Sequence, residues 1–303
     1  MNKRLLAGLA IGTAAALGLG ACSSTPAEPE PTTTEAPSAG ADQTDLTIGV
    51  FNGWPEGEAA SYVWKLLLEE QGYNVTLEYA DAGIVFQGLS DGDYDVALDG
   101  WLPLTHQSYL EEYPDIVDLG AWNEDAVLTL AVNEDAPITS ITELAEHAAE
   151  FGNQIIGIEP GAGLTKATEE QVIPTYGLED MEFTTSSTAA MLAELSGAID
   201  AGRNIVVTLW RPHWAYDEFP IRDLEDPEAT LGTEESIHSV ARPGFADDFP
   251  QLAKWLGAFK MDSDLLFSLE NVMYNVPEVP SDFTEVVSQW MSDNQAYVDS
   301  LIG

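Results

Sequence analysis

VALDGWLPLTH, residues 96–106, is a strand-like apolar run that breaks at an Asp-Gly pair and continues with a tryptophan. The apolar run is typical of a buried β-strand, and Asp-Gly is a turn signal. Trp101 therefore stands where the strand is predicted to end. An indole in that position either covers the edge of a core or forms the wall of a binding site.

Strand-like and helix-like segments alternate on both sides of this stretch. Such alternation predicts an α/β fold with mostly parallel sheets flanked by helices. The predicted strands are 46–51, 74–80, 94–99, 126–132, 154–160, 181–185 and 204–210, and the predicted helices are 58–72, 84–92, 140–150, 163–175, 187–197, 247–258, 262–272 and 281–301.

The alternation falls into two series, which predict two lobes joined by a hinge. Near 133–137 and 237–243 an apolar segment runs into proline and polar residues, as expected where the chain crosses between lobes. This assigns 45–134 and 238–303 to lobe 1 and 135–237 to lobe 2. Ligands of open α/β sheets bind outside the carboxyl ends of the strands. We therefore expect a binding cleft between the lobes.

The first residues predict export and anchoring. Lys3 and Arg4 precede a short apolar run rich in Ala, Leu and Gly, which is typical of a secretory signal over residues 1–21. Cys22 follows at the position that resembles the lipidated cysteine of a bacterial lipobox; an ordinary signal with an incidental cysteine is the alternative. Residues 22–44 are rich in Ser, Thr and Pro and predict a solvated tether. We expect a lipid-anchored protein on the extracytoplasmic face of the cell membrane.

The charge of the chain is strongly negative. Ten Lys and Arg stand against 52 Asp and Glu, giving a formal net charge of −42. A field of this sign repels nucleic acid and anionic lipid, which excludes both as partners. The acidic residues are dispersed and predict a solvated acidic surface. We expect no metal site and no cofactor.

Three tryptophans stand at or just after the ends of apolar strand-like segments: Trp54, Trp101 and Trp210. Any one of them alone is explained as a cap over a sheet. Three in equivalent positions favour a shared site. Several indoles could stack on a sugar or surround a quaternary ammonium group. A desolvated cation over an indole gains about 0.5–2 kcal/mol, so three indoles need no carboxylate, which would also attract Na⁺ or K⁺.

A candidate anion site lies in IEPGAGLTKATEE, residues 158–170. This segment is typical of a strand, a glycine-rich turn and a helix. The amides of Gly163 and Leu164 open the predicted helix, and free N–H groups at a helix start hold a carboxylate or a phosphate. A dinucleotide fingerprint would need a third glycine where Lys166 stands, so that interpretation is weak.

Residues 81–106, 155–169 and 205–214 resemble the glycine betaine/proline betaine-type substrate-binding proteins of ABC importers. The resemblance covers about residues 45–300. It implies a two-lobed, periplasmic-binding-protein-like fold of type II.

The resemblance also implies roles for individual residues. Trp54, Trp101 and Trp210 correspond to the walls of a prism around a trimethylammonium group. The amides of Gly163 and Leu164 correspond to the ligands of its carboxylate, and His106 to an auxiliary contact. Arg211 stands where related proteins commonly carry a small polar residue. We expect its side chain to point to solvent or to a neighbouring acid.

The leading hypothesis is a monomeric, lipid-anchored receptor that delivers glycine betaine or a related quaternary amine to a membrane permease, without catalysis. A receptor that prefers choline or carnitine is the alternative. A secreted choline-ester hydrolase would need a nucleophile and a base, and no motif for such a set is present. A receptor for a sugar or an amino acid is a third hypothesis.

Overall fold

The computed structural model describes residues 43–303. The predicted signal peptide, Cys22 and nearly all of the tether lie outside the described residues. Within 43–303, no helix is both long and apolar enough to cross a membrane.

Nine strands form the sheet framework among the described residues. They are β1 Asp45–Phe51, β2 Asn74–Ala80, β3 Val96–Leu102, β4 Val117–Asn133, β5 Gln154–Ile156, β6 Glu182–Thr184, β7 Val206–Arg211, β8 Ile221–Asp223 and β9 Glu235–Ala241.

The α-helices are α1 Pro55–Glu70, α2 Ala82–Asp91, α3 Gln107–Glu112, α4 Leu144–His147, α5 Gly163–Ala167, α6 Ile173–Tyr176, α7 Thr188–Asp200, α8 Ala215–Glu218, α9 Phe245–Asp248, α10 Pro250–Ala258, α11 Ser263–Tyr274, α12 Thr284–Asp293 and α13 Gln295–Leu301. A π-helical segment, Thr168–Val172, joins α5 to α6.

The strands are ordered β2-β1-β3-β9-β4-β7-β5-β6, and β8 also pairs with β4. The pairs β1–β2, β1–β3, β5–β6 and β5–β7 are parallel. The pairs that β4 and β9 make are antiparallel. The expectation of mostly parallel sheets was therefore wrong for the middle of the order. Parallel neighbours need a crossover connection. Strand β4 instead runs antiparallel to each of its partners, β7, β8 and β9.

The 17-residue strand β4 changes its pairing partner along its length. Its first part, Val117–Ala126, pairs with β9 through several register shifts, and Val127–Val132 pairs with β7. The change of partner falls between Ala126 and Val127. The predicted division into two lobes remains a prediction. Residues 127–132 separate this change of partner from the first predicted join between lobes, near 133–137.

Strand β3 continues beyond the Asp-Gly pair that was expected to end it. It runs through Gly100 to Leu102 and pairs with β9 on both sides of a register shift between Ala97 and Gly100. A Cβ on Gly100 would lie 2.9 Å from a methyl group of Val240 on β9. A residue without a side chain thus lets the neighbouring strand approach at the irregular point.

Helices cover the sheet and bury its apolar faces. Helix α1 packs on β1, β2 and β3 and also contacts α11 and α12, while α10 packs on β4. Pro55 stands in the first turn of α1, where its missing N–H costs no hydrogen bond. The first ten residues of α1, except Glu58, are buried. Glu56, in this first turn, therefore has no access to water, unlike most acidic residues at the start of a helix.

Candidate functional site

Trp54 lies at the turn between β1 and α1 and is 6% exposed. Its ring stacks on His106, with centroids 5.6 Å apart and planes 10° apart. It also contacts Trp210, at 5.8 Å and 49°. Its indole nitrogen donates a long, 3.5 Å hydrogen bond to Glu159, which precedes the glycine-rich turn. Trp54 is therefore held between segments that are distant in sequence.

Trp101 and Trp210 are the penultimate residues of β3 and β7. Each is followed by a cis proline bond, Leu102–Pro103 and Arg211–Pro212 respectively. Both indoles are 2% exposed. The indole N–H of Trp101 donates to Asp99 at 2.9 Å, whereas that of Trp210 has no acceptor within the described part of the chain.

The structure brings the three predicted tryptophans to one small cavity of about 10 Å³. Three indoles from three separate segments therefore face a common space, which separate caps over the core would not produce. Its walls are Trp54, Glu56, Trp101, Thr105, Leu128, Ile158 and Trp210.

His106 is buried behind this cavity. Its Nδ1 accepts a hydrogen bond from the backbone N–H of Trp101 at 2.9 Å, so the proton of the neutral imidazole is on Nε2. Nε2 has no partner among residues 43–303. Burial lowers the pKa of His106 to about 3. His106 is thus a neutral side chain that offers one N–H donor at physiological pH.

The glycine-rich turn approaches the loop that carries His106. The phenolic hydroxyl of Tyr109 donates to the carbonyl oxygen of Gly161 at 3.0 Å. A Cβ on Gly163 would lie only 2.5 Å from the carbonyl oxygen of Thr105. Gly163 opens α5, and Leu164 is buried in its first turn.

Gly163, Leu164 and His106 do not line the indole cavity itself. Gly163 borders an open groove that shares Thr105 and Leu128 with that cavity. The predicted anion site and the predicted cation site are therefore adjacent. Whether these residues bind a ligand remains a prediction.

Three buried carboxyl groups near the indoles were not predicted from the sequence: Glu56, Asp99 and Glu270, with side chains at most 1% exposed. Burial raises the pKa of Glu56 to about 7 and raises those of Asp99 and Glu270 well above their ordinary values. The three indoles were expected to need no carboxylate beside them, yet Glu56 lines the cavity. The sequence signal is its position two residues after Trp54.

Arg211 does not face the cavity. Its Nε donates to Asp223 at 2.7 Å, and its guanidinium group lies 3.5 Å from the ring centre of Tyr216. This confirms the expectation that its side chain points to a neighbouring acid. The arginine therefore neither opposes a cation at the indoles nor pairs with a ligand carboxylate.

An Arg211→Ala variant is expected to change ligand affinity by less than about twofold, because its contacts are separate from the cavity. Isothermal titration of the variant and the parent protein with glycine betaine measures the difference. A loss of tenfold or more, with an unchanged melting temperature, would assign Arg211 to the site.

The chain matches the family model described as the substrate binding domain of the ABC-type glycine betaine transport system over residues 44–293. It is 34% identical over 161 residues to the glycine betaine/carnitine transport binding protein GbuC of Listeria monocytogenes. That alignment covers 52% of this chain and 51% of the Listeria protein. The chain thus spans about half the length of this curated relative.

Two solved structures are similar over their whole length. Lactococcal OpuAC, crystallised in a closed conformation with glycine betaine, has a TM-score of 0.79 and 28% identity; the match covers 86% of this chain and 100% of that chain. The glycine/betaine/L-proline-binding protein ProX of Borrelia burgdorferi has a TM-score of 0.79 and 31% identity, covering 86% and 97%. These similarities confirm the type II periplasmic-binding-protein fold expected from the sequence.

Proposed function

Because the chain belongs to the family of substrate-binding domains of ABC-type glycine betaine transport systems, we propose that it captures glycine betaine or a related quaternary amine for import. The observation that carries the proposal is the cavity shared by Trp54, Trp101 and Trp210. A trimethylammonium group has no N–H donor, so it cannot be recognised by hydrogen bonds. Indole faces attract it through their quadrupoles, by about 0.5–2 kcal/mol for each contact.

The carboxylate of the ligand is assigned to the adjacent helix start. The first amides of a helix have no acceptor within the helix and lie at the positive end of its dipole. Gly163 and Leu164 supply these amides, and the Nε2–H of His106 supplies a third donor. A neutral donor suits this role, because it binds an anion without adding a positive charge beside the ammonium group.

Ligand capture is proposed to close two lobes, 45–134 with 238–303 and 135–237. Trp54, Trp101 and His106 belong to the first, and Trp210 with Gly163 and Leu164 to the second. Support comes from the partner change along β4 and from the packing of α11 and α12 on α1. Only the closed arrangement holds both ends of a zwitterion, which supplies the differential affinity that a population shift requires.

The protein is proposed to act as a monomer without catalysis, anchored through Cys22 on the extracytoplasmic face of the membrane. It would hand its ligand to the permease of an ABC importer. The matching family model and the Listeria relative both describe transport binding proteins. The dispersed acidic surface fits a protein that works in the exterior medium without binding nucleic acid or anionic lipid.

Titration of the purified protein with glycine betaine, proline betaine, carnitine and choline tests the proposal. Glycine betaine is expected to bind and to change the tryptophan fluorescence, because all three indoles surround the ligand. Glucose and glutamate are the controls and should give neither heat nor a fluorescence change. A chromogenic choline ester should not be hydrolysed. Absence of binding by all four methylated amines would refute the proposed function.

A further inference from the structure

Three carboxyl groups from three different elements are buried close to the indole cavity. Glu56 stands on α1, Asp99 on β3 and Glu270 on α11. None of them forms an ion pair with a Lys, Arg or His of the described residues. Burial raises the pKa of Asp99 and of Glu270, and the negative charge of Glu56 raises both further. Carboxyl groups buried together in this way are disfavoured from ionising unless a cation binds beside them.

Glu56 alone of the three lines the cavity. Its side chain is fully buried, and neither carboxyl oxygen has a hydrogen-bond partner in the described part of the chain. Its own backbone N–H and the indole N–H groups of Trp210 and Trp101 lie close enough to favour its charge, but none of them meets hydrogen-bonding geometry with it. Buried polar groups are nearly always paired. Glu56, with its carboxyl group unpartnered, therefore borders the space that the proposed function assigns to the ammonium group.

We propose that Glu56 is the counter-ion of the quaternary ammonium group and that binding of the cation releases one proton from its carboxyl group to the solvent. This inference rests on the proposed function and extends it to the charge of the ligand. The O–H bond of Glu56 breaks, the proton passes to the buffer, and the carboxylate pairs with the ammonium group by charge alone. Attraction between opposite charges is strong in a cavity that excludes water.

The direction of the pH dependence follows from the burial of Glu56. Burial raises its pKa to about 7, so the carboxyl group is largely protonated below that pH. A cation in the cavity favours the ionised form and lowers the pKa. Ligand affinity should therefore rise with pH up to about 7 and level off above it. Asp99 and Glu270, whose pKa values are raised well above the ordinary range, resist ionisation beside the charged Glu56.

The other titratable groups near Glu56 do not account for this pH dependence of ligand affinity. His106 stacks on Trp54 and His213 packs edge-on against Trp210; burial lowers the pKa of each to about 3, so both stay neutral. Glu58 on α1 accepts hydrogen bonds from Tyr79 and Tyr274 instead of lining the cavity.

The experiment counts protons by isothermal titration in two buffers of different ionisation enthalpy. The purified protein is titrated with glycine betaine and with choline. At about pH 6 we expect release approaching one proton for each ligand, decreasing toward zero at about pH 8.5. The dissociation constant should fall with rising pH, by up to about tenfold for each unit below pH 7. The neutral carbon isostere of choline, 3,3-dimethyl-1-butanol, should release no proton.

Two variants locate the proton. Glu56→Gln should abolish both the proton release and the pH dependence, and should weaken choline binding. Glu70→Gln removes an exposed carboxylate from the same helix and should behave as the parent protein does. Glu56→Asp retains an acid and should retain proton release.

The outcomes separate the inference from the function on which it rests. If the parent protein binds glycine betaine with no proton release and a constant affinity across this pH range, the counter-ion inference is wrong and the proposed function stands. Proton release that persists in Glu56→Gln also overturns it, because another group then loses the proton. If no quaternary amine binds, the proposed function itself fails.

Discussion

A Trp101→Ala variant is expected to bind glycine betaine at least about thirtyfold more weakly than the parent protein, a loss of roughly 2 kcal/mol. Trp101 forms one wall of the shared cavity and is 2% exposed. Its truncation removes one indole face and admits water to the remaining two. Both changes weaken the attraction between the rings and a desolvated cation.

Isothermal titration with glycine betaine measures the loss, and the melting temperature shows whether the fold persists. Trp255→Ala is the matched control, because Trp255 lies partly buried on α10 away from the cavity. Trp101→Phe keeps an aromatic face but lacks the N–H that donates to Asp99, so it should lose less affinity than Trp101→Ala. If a folded Trp101→Ala variant binds as tightly as Trp255→Ala does, the indole cavity is not the ammonium site.

The alternation of apolar segments was sufficient to predict most of the fold. Strand 74–80 has the predicted bounds, and β1 and α1 differ from their predicted ends by a few residues. The first part of β4 was missed, since VDLGAWNED, residues 117–125, has glycine and charged residues where a strand pattern should alternate. Pairing with β9 holds it as a strand through three register shifts. Such tertiary pairing overrides local propensity and leaves little trace in the sequence.

The indole walls were predictable because each follows or ends a strand, and the ends of strands meet at a site. The buried acids were not. Glu56 belongs to the sequence PEGEAA, which looks like an ordinary acidic helix start favoured by the dipole. Only the packing shows that this turn is buried on all sides except at Glu58. Asp99 was predicted to be a turn residue because it precedes a glycine. Strand β3 continues past it through its pairing with β9, which the local sequence does not reveal.

Gly163→Ala is expected to weaken binding of glycine betaine by about tenfold to a hundredfold, the effect of losing one or more hydrogen bonds to a charged group. The added Cβ would lie 2.5 Å from both the carbonyl oxygen and a methyl carbon of Thr105, where real Cβ contacts are essentially never under 3.0 Å. Either the start of α5 withdraws or the loop of Thr105 moves. Since His106 follows Thr105 directly, both movements separate the proposed carboxylate donors.

Gly161→Ala is the matched control for this variant. Gly161 stands in the same turn, and a Cβ there meets no atom within 4 Å. The Gly161→Ala variant should therefore bind glycine betaine with the affinity of the parent protein. Choline carries the ammonium group without the carboxylate, and its binding should fall less than that of glycine betaine in Gly163→Ala. The ratio of the two dissociation constants therefore reports on the carboxylate site alone. An equal loss for both ligands would mean that the substitution disturbs the indole cavity through Thr105, which lines it. The start of α5 would then not belong to the proposed site.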